Sequence, residues 1–351
     1  MAEILYVNPD STDEMKRRGI LELERNRSKA ISKQIDAKFL TFGSFSFLPN
    51  HPHLYTTSKA RFYLSLPFIL PKAELYRSFR QFYSSAITSF IAKLRGKKAV
   101  ASVHGQYELF SKLRHGSIPI SKRLSEKATL LFADAFIVSS YSLKEYFSKK
   151  TKKPIYVNPA SQPGIDPNIF SPSQTKREKT ILFVGRISPE KNIPLLLKAF
   201  KSFNKTHPDF KLKLVLSRMT DIEEKFFSKL KSQKNIPILQ NIPNEKMADL
   251  YRKASLLVLP SVTEGCPHVL LEAIACGCPV LATKVGDNHL IVKENESGLL
   301  IPPNNQAALT EDLPRALKLS VPKSESDRIR STYSFEASIK NEISFLKSLL
   351  S

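Results

Sequence analysis

The sequence predicts an α/β protein of two domains, each a parallel sheet covered by helices. Two observations lead there. Apolar runs of strand length alternate with helical stripes through both halves of the chain. At 351 residues, with 42% hydrophobic and 25% charged, the chain is globular and long enough for each half to bury its own core.

The elements follow in chain order. Residues 4–7 read as a strand and not as a signal peptide, because no apolar core region or cleavage site follows. No apolar run approaches the length of about 18 needed to span a membrane. An apolar run at 99–101 precedes Val103 and His104, and a strand at 137–138 precedes Ser139 and Ser140. In the second half, a strand at 180–185 ends on Gly185, Arg186 follows, and an apolar run at 195–200 reads as a helix. Asn192 suits the N-cap of that helix and Pro194 its first turn. Strands at 256–260 and 279–283 bracket one helix, with Pro267 in its first turn and Gly277 at its stop. From Ser334 and Phe335 onward, Ile339, Ile343, Leu346 and Leu350 form a last helical stripe. With a linker at 171–174, these elements divide the chain into 1–172, 173–330 and a closing helix within 331–351.

The chemistry sits in two strand-end loops. Glu264 in the loop and Glu272 on the helix stand eight residues apart across one junction. A helix N-terminus offers unpaired amides and a positive dipole end to anionic or hydroxyl-rich ligands. In open α/β sheets, ligands bind beyond the carboxyl ends of the strands, where this loop falls. Alone, the pair also reads as two solvated glutamates of a packed unit. Arg186 and Lys191 flank the other turn, placed to neutralise a diphosphate without a metal, although in so basic a chain either alone also reads as a solvated cation. Cys266, Cys276 and Cys278 fall within one motif and lack metal-site spacing. They read as small packing residues in a reducing compartment.

Gly185, Arg186, Glu190, Lys191 and Asn192, the two glutamates around Gly265, Cys266 and Pro267, and the run 277–283 together resemble the retaining glycosyltransferases of family 4. The resemblance extends from about Gly164 to Pro302. It implies the GT-B architecture: two Rossmann-like domains facing across a cleft, the first binding acceptor and the second nucleotide sugar, with a C-terminal helix crossing back to the first. It further implies that Arg186 and Lys191 hold the donor diphosphate, that Glu264 contacts the transferred sugar, and that Glu272 bonds the ribose hydroxyls. Gly265, Cys266, Pro267, His268 and Val269 would offer their backbone to sugar and phosphate. His104 would contact the sugar from the first domain, Gly19 is the single glycine of a loop that often has two, and Asn241 with Ile242 would lie near the base. Pro163 and Leu290 depart from the pattern, standing where asparagine and an acidic residue are usual.

The implied reaction moves a sugar from a UDP- or GDP-sugar to an acceptor hydroxyl with retention, using no metal and no cofactor besides the donor. A glycan or glycolipid is the expected acceptor. A cytoplasmic location, peripheral at the inner face of the membrane, follows as an expectation.

Charge adds a second clue. The formal net charge is +22, with 27 Lys or Arg against 13 Asp or Glu in residues 1–172 and 27 against 19 in the remainder. Such an excess favours an anionic lipid surface or nucleic acid. The stretch 61–98 interleaves aromatic residues such as Phe68 and Phe90 with Arg77, Lys93 and Arg95. It reads either as helices packed on the first sheet or as a segment lying in a membrane interface. No zinc-finger, RNA-recognition or basic-zipper pattern supports a nucleic-acid partner. The rival readings are a sugar-nucleotide epimerase of the same architecture and a basic nucleic-acid-binding protein.

Overall fold

The computed structural model describes residues 2–8, 10–17, 21–79, 82–103, 118–159, 164–217, 228, 230, 236–240 and 242–351. The chain forms two compact units, one of Met1–Pro163 with Phe335–Ser351 and the other of Gly164–Ser334.

The first unit is a seven-stranded sheet of β1 (Ala2–Val7), β2 (Ala37–Gly43), β3 (His53–Tyr55), β4 (Ala73–Ser78), β5 (Lys98–Val103), β6 (Ala135–Val138) and β7 (Ile155–Val157). The order is β3-β2-β1-β4-β5-β6-β7 and every pairing is parallel. Among the described residues its helices are α1 (Thr12–Arg17), α2 (Leu21–Ser32), α3 (Lys59–Ile69), α4 (Tyr83–Leu94), α5 (Ile120–Phe132) and α6 (Tyr141–Ser148). Phe62 and Leu66 of α3 and Ile91 and Ala92 of α4 share one core with Leu5, Tyr76 and Ala99 of the sheet. The packing reading of 61–98 is therefore realised on the inner faces of these helices.

The second unit is a six-stranded parallel sheet of β8 (Glu178–Arg186), β9 (Lys211–Ser217), β10 (Ile238–Leu239), β11 (Ala254–Leu259), β12 (Val280–Thr283) and β13 (Gly298–Ile301), ordered β10-β9-β8-β11-β12-β13. The apolar runs have no polar face because both faces of the sheet are covered. Ile181 and Phe183 of β8 enter one core, while Leu182 and Val184 face the other. The helices described whole in this unit are α7 (Ile193–Asn204), α8 (Asn244–Lys253), α9 (His268–Ala275), α10 (Asn288–Ile291), α11 (Gln306–Ala316) and α12 (Lys323–Thr332). Helix α13 (Phe335–Leu350) then closes the first unit, with Ile339, Ile343 and Leu346 buried against Ile4, Leu75 and Val100. Among the described residues no helix is long and apolar enough to cross a membrane.

The units divide at 163/164 and 334/335, whereas the composition placed the breaks after 172 and 330. Gly164 abuts the backbone of Tyr333 and Ser334, and Ile165 donates its amide to Tyr333 O at 3.0 Å. Arg252 of α8 donates to the carbonyls of Ile169 and Ser171, so the whole segment 164–171 is fastened to the second unit.

Two local readings change in detail. Pro267 is the N-cap of α9 and not its first-turn residue, while Gly277 ends the helix as expected at φ +76°. Gly277 donates to Ile274 O and Cys278 to Ala273 O, the paired bonds of a Schellman stop. Asn192 occupies the N-cap of α7, but its backbone is left-handed and its side chain makes no capping bond. The amide instead donates to Asn304 Oδ1 at 3.0 Å.

Candidate functional site

In the second unit the connection order reverses between β8 and β11, and the loops leaving those strands meet at the crevice this creates. The β8 loop carries Arg186 into a 3-10 turn, Pro189–Lys191, before α7 begins. The β11 loop carries Ser261 and Glu264 toward α9. Val262 N donates to Glu190 O at 2.8 Å, which joins the two loops directly.

Lys191 Nζ donates to Glu264 Oε1 at 2.5 Å, and Ser261 Oγ donates to the same oxygen at 2.6 Å. Both partners of this pair are largely shielded, at 13% and 10% exposure. Ser261 is itself fixed, since Thr283 Oγ1 donates to its carbonyl at 2.6 Å. A Cβ at Gly185 would crowd the Phe183 ring at 3.2 Å, while Lys191 Cδ at 3.7 Å would be in ordinary contact with it. Arg186 donates to the buried Glu190 carboxylate at 3.2 Å while its own side chain stays 40% exposed. A guanidinium carries five donors, so this single bond leaves most of the fork for an anion.

Glu272 lies one turn into α9, where Tyr251 OH of α8 donates to its Oε2 at 2.7 Å. Burial pushes the Glu272 carboxyl up to about 7, with the Tyr251 bond pulling in the opposite direction. Burial likewise lowers His268 below the usual imidazole range and raises the Cys266 thiol, with Asp287 and Glu264 adding to the latter. His268 is therefore neutral and Cys266 protonated near pH 7. Pro267 is buried, and Val269 and Ile242 pack against the core that holds Leu257 and Leu271. All three cysteines are free thiols. The structure thus brings Gly185, Arg186, Lys191, Glu264 and the start of α9 to one crevice. His104, Gly19 and Asn241 lie outside the described residues.

Spacing within the sequence did not show what four residues do here, although Glu190 stands in the motif already named. Ser261 and Tyr251 act on the two glutamates through contacts set by loop and helix packing, and Glu190 anchors Arg186. Gly286 is the fourth. It sits at φ +53°, and a Cβ there would lie 2.3 Å from Glu264 O, while Asp287 N donates to Gly265 O at 2.9 Å. Gly286→Ala is therefore expected to push the Glu264 loop out of place and to cost roughly 1–3 kcal/mol for the left-handed backbone and forced contact. Thermal unfolding alongside ligand binding checks this; an unchanged melting point with unchanged binding contradicts it.

Residues 165–334 match the family model described as Glycosyl transferases group 1, over almost the whole second unit. The second unit thus matches a group 1 glycosyl transferase domain. Among curated proteins, D-inositol 3-phosphate glycosyltransferase of Acidothermus cellulolyticus is 30% identical over 175 residues, covering 44% of this chain and 39% of that protein. The Corynebacterium glutamicum protein of the same name is 29% identical over 43% of this chain and 41% of its own length. The chain thus spans about two fifths of the length of these relatives. Solved structures extend the likeness beyond the group 1 domain. Sucrose-phosphate synthase of Thermosynechococcus elongatus superposes with a TM-score of 0.75 at 18% identity, over 99% of each chain. HepE of Anabaena, solved with UDP-glucose, does so with 0.74 at 16% identity over 98% of this chain and 99% of its own. The fold is therefore that of the GT-B glycosyltransferases, two parallel-sheet α/β domains, as the motifs implied.

Proposed function

We propose that this protein is a glycosyltransferase of family 4 that moves a sugar from a nucleoside diphosphate sugar to an acceptor hydroxyl, with retention and without a metal. The observation that carries the proposal is the shielded Lys191–Glu264 pair beside Arg186 at the crevice of the group 1 domain. HepE, which shares the fold, was solved with UDP-glucose, which supports the choice of donor class. In this reading Lys191 and Arg186 donate to the leaving diphosphate, whose charge grows in the transition state. Glu264, oriented by Ser261 and Lys191, accepts from a sugar hydroxyl. The backbone around Gly265 and the start of α9 meet sugar and phosphate, while Tyr251 holds one Glu272 oxygen and leaves the other for the ribose. His104 keeps the sugar-contacting role that the resemblance implies. The acceptor class proposed is a glycolipid or surface-polysaccharide precursor.

Incubation of the full chain with a panel of UDP- and GDP-sugars and lipid or glycan acceptors tests the reaction, with the anomeric configuration of the product read by NMR. Transfer with retention that persists in excess chelator is expected. Conversion of the donor with no acceptor present favours the epimerase instead.

The Glu272 carboxyl adds a pH signature. Its folded value, about 7, stands above the ordinary 4.5, so the folded state binds the extra proton between these values. In the ligand-free protein this contribution to stability is present at low pH and is lost as pH rises through about 7. Ribose hydroxyls donate to a carboxylate, so nucleotide binding favours the ionised form. Binding at pH 6.5 is thus expected to release protons, and affinity is expected to rise until Glu272 is ionised. Calorimetry in two buffers of different ionisation enthalpy measures the release; zero release with wild type, or equal release from Glu272→Gln, contradicts the assignment.

A further inference from the structure

We propose that the outer face of helices α3, α4 and α5 docks on an anionic lipid bilayer. The inference does not rest on the donor-site reading, because none of these helices belongs to the group 1 domain.

The three helices lie side by side in the first unit. Tyr63 of α3 packs on Tyr83 of α4 with ring centroids 5.9 Å apart, and Phe90 of α4 meets Phe132 of α5 at 5.1 Å. Tyr83 OH also donates to Ser121 Oγ at 2.8 Å. Their inner faces are committed to the sheet, yet each helix repeats large apolar side chains at a spacing of four on its other side. Leu64 and Phe68 stand on α3, Phe90 and Leu94 on α4, and Ile120 and Leu124 on α5. Phe68 is 88% exposed, Leu94 71% and Ile120 75%. Isolated exposed apolar residues are ordinary; three neighbouring helices that each carry a pair one turn apart form a patch that calls for an apolar neighbour.

Charge selects that neighbour. Exposed cations stand on the same three helices, Lys59 and Arg61 on α3, Lys93 on α4, and Arg123 and Lys127 on α5. Their single acidic residue is Glu126, and it is already paired with Lys150 at 2.7 Å. Apolar groups that enter the acyl boundary while interleaved cations meet anionic headgroups are what an interfacial surface requires. A second copy of this chain would set cation against cation. A nucleic acid would satisfy the charge and leave the aliphatic side chains in water.

Flotation of the full-length protein with vesicles tests the proposal. The vesicles are phosphatidylcholine alone, or phosphatidylcholine with about 30 mol% phosphatidylglycerol. Wild type is expected to float with the anionic vesicles at low salt, to stay behind with the neutral ones, and to detach at about 0.5 M salt, where the attraction to the headgroups is screened. The triple variant Phe68→Ser, Leu94→Ser, Leu124→Ser and the charge variant Lys93→Glu, Arg123→Glu, Lys127→Glu should each lower partitioning at least about tenfold. The substituted side chains lie on the solvent side, and thermal melting verifies the fold of each variant; if one fails to fold, the other decides. Three outcomes overturn the proposal: wild type left unbound by anionic vesicles at low salt, folded variants captured as well as wild type, or a wild-type dimer that the serine variant dissolves. The last assigns the face to a second copy. Transfer activity in detergent is measured in parallel, so that loss of docking with activity intact separates this failure from that of the donor site.

Discussion

Replacing Lys191 with alanine is expected to lower kcat/KM for sugar transfer by roughly 100- to 1,000-fold, about 3–4 kcal/mol of transition-state stabilisation. Two effects combine. The leaving diphosphate loses a preorganised donor where its charge grows, and Glu264, at 10% exposure, loses the cation that neutralises it. A shielded carboxylate left without its partner reorients toward water and no longer presents the same acceptor to the sugar. Ser261 cannot compensate, because its hydroxyl donates one neutral hydrogen bond to the same oxygen. Glu264→Gln should lose less affinity for the bare nucleotide than Lys191→Ala does, since the amide keeps an oxygen and adds no charge. The double variant should fall well short of the sum of the two single losses, as expected for groups that act as a unit. Steady-state rates and nucleoside diphosphate affinities measured on the same preparations distinguish the cases. Rates of both single variants within about threefold of wild type, under roughly 1 kcal/mol, would show that the crevice is not the donor site.

What the sequence disclosed follows physical lines. Strands β8, β11 and β12 were legible because both faces of the sheet are covered, so each carries an unbroken apolar run with Gly or Pro at one end, whereas β9 breaks its apolar residues with Lys213 and was not read. Gly277 was legible as a helix stop because a left-handed residue is needed there, and the structure puts it at φ +76°. Tyr251 was not, because its contact with Glu272 is made across 21 residues by the packing of α8 on α9, and no local spacing encodes that. Asn192 shows the limit of cap rules. Its position was read correctly, but the Asn304 side chain, 112 residues away, offered a better partner than the first turn of its own helix. The edge between the units was displaced for a similar reason. A segment rich in Pro and Ser reads as a linker, while the carbonyl of Ser171 at its start, like that of Ile169 before it, is in fact held by Arg252. In the stretch 61–98, a single sequence encodes two surfaces on each helix, and only the register of the buried side shows which apolar residues remain outside.

Glu342→Ala is expected to destabilise the first unit by about 3–5 kcal/mol, a large effect for one side chain on the last helix. The carboxylate is 1% exposed and lies between two guanidiniums, with Arg77 Nε 2.6 Å from Oε1 and Arg27 Nη2 2.6 Å from Oε2. Asn158 donates to Oε2 at 3.2 Å and is itself held by Ser338 Oγ, so α13 is tied to α2, β4 and the residue after β7 through one buried group. Nothing in the apolar stripe of α13 predicts this. Removing the glutamate leaves both arginines in the interior, and Arg77, stacked 4.2 Å from the Phe79 ring centroid, has no route to water at 0% exposure. Replacing Arg77 and Glu342 together by leucine should therefore cost less than the Glu342 substitution alone, because no uncompensated partner of that pair remains. The pH dependence has a definite sign. Burial raises the Glu342 value, but Arg77 and then Arg27 outweigh it and hold the carboxyl below its ordinary 4.5. A depressed carboxyl contributes stability that is present above pH 4.5 and is lost as pH falls through the folded value. The stability gap between wild type and Glu342→Gln should thus be widest above pH 4.5 and narrow on further acidification. Denaturant titrations of both proteins across that range read the gap directly; one that stays constant or widens toward acid would mean that packing of α13, and not the buried ion triad, fastens the helix to its sheet.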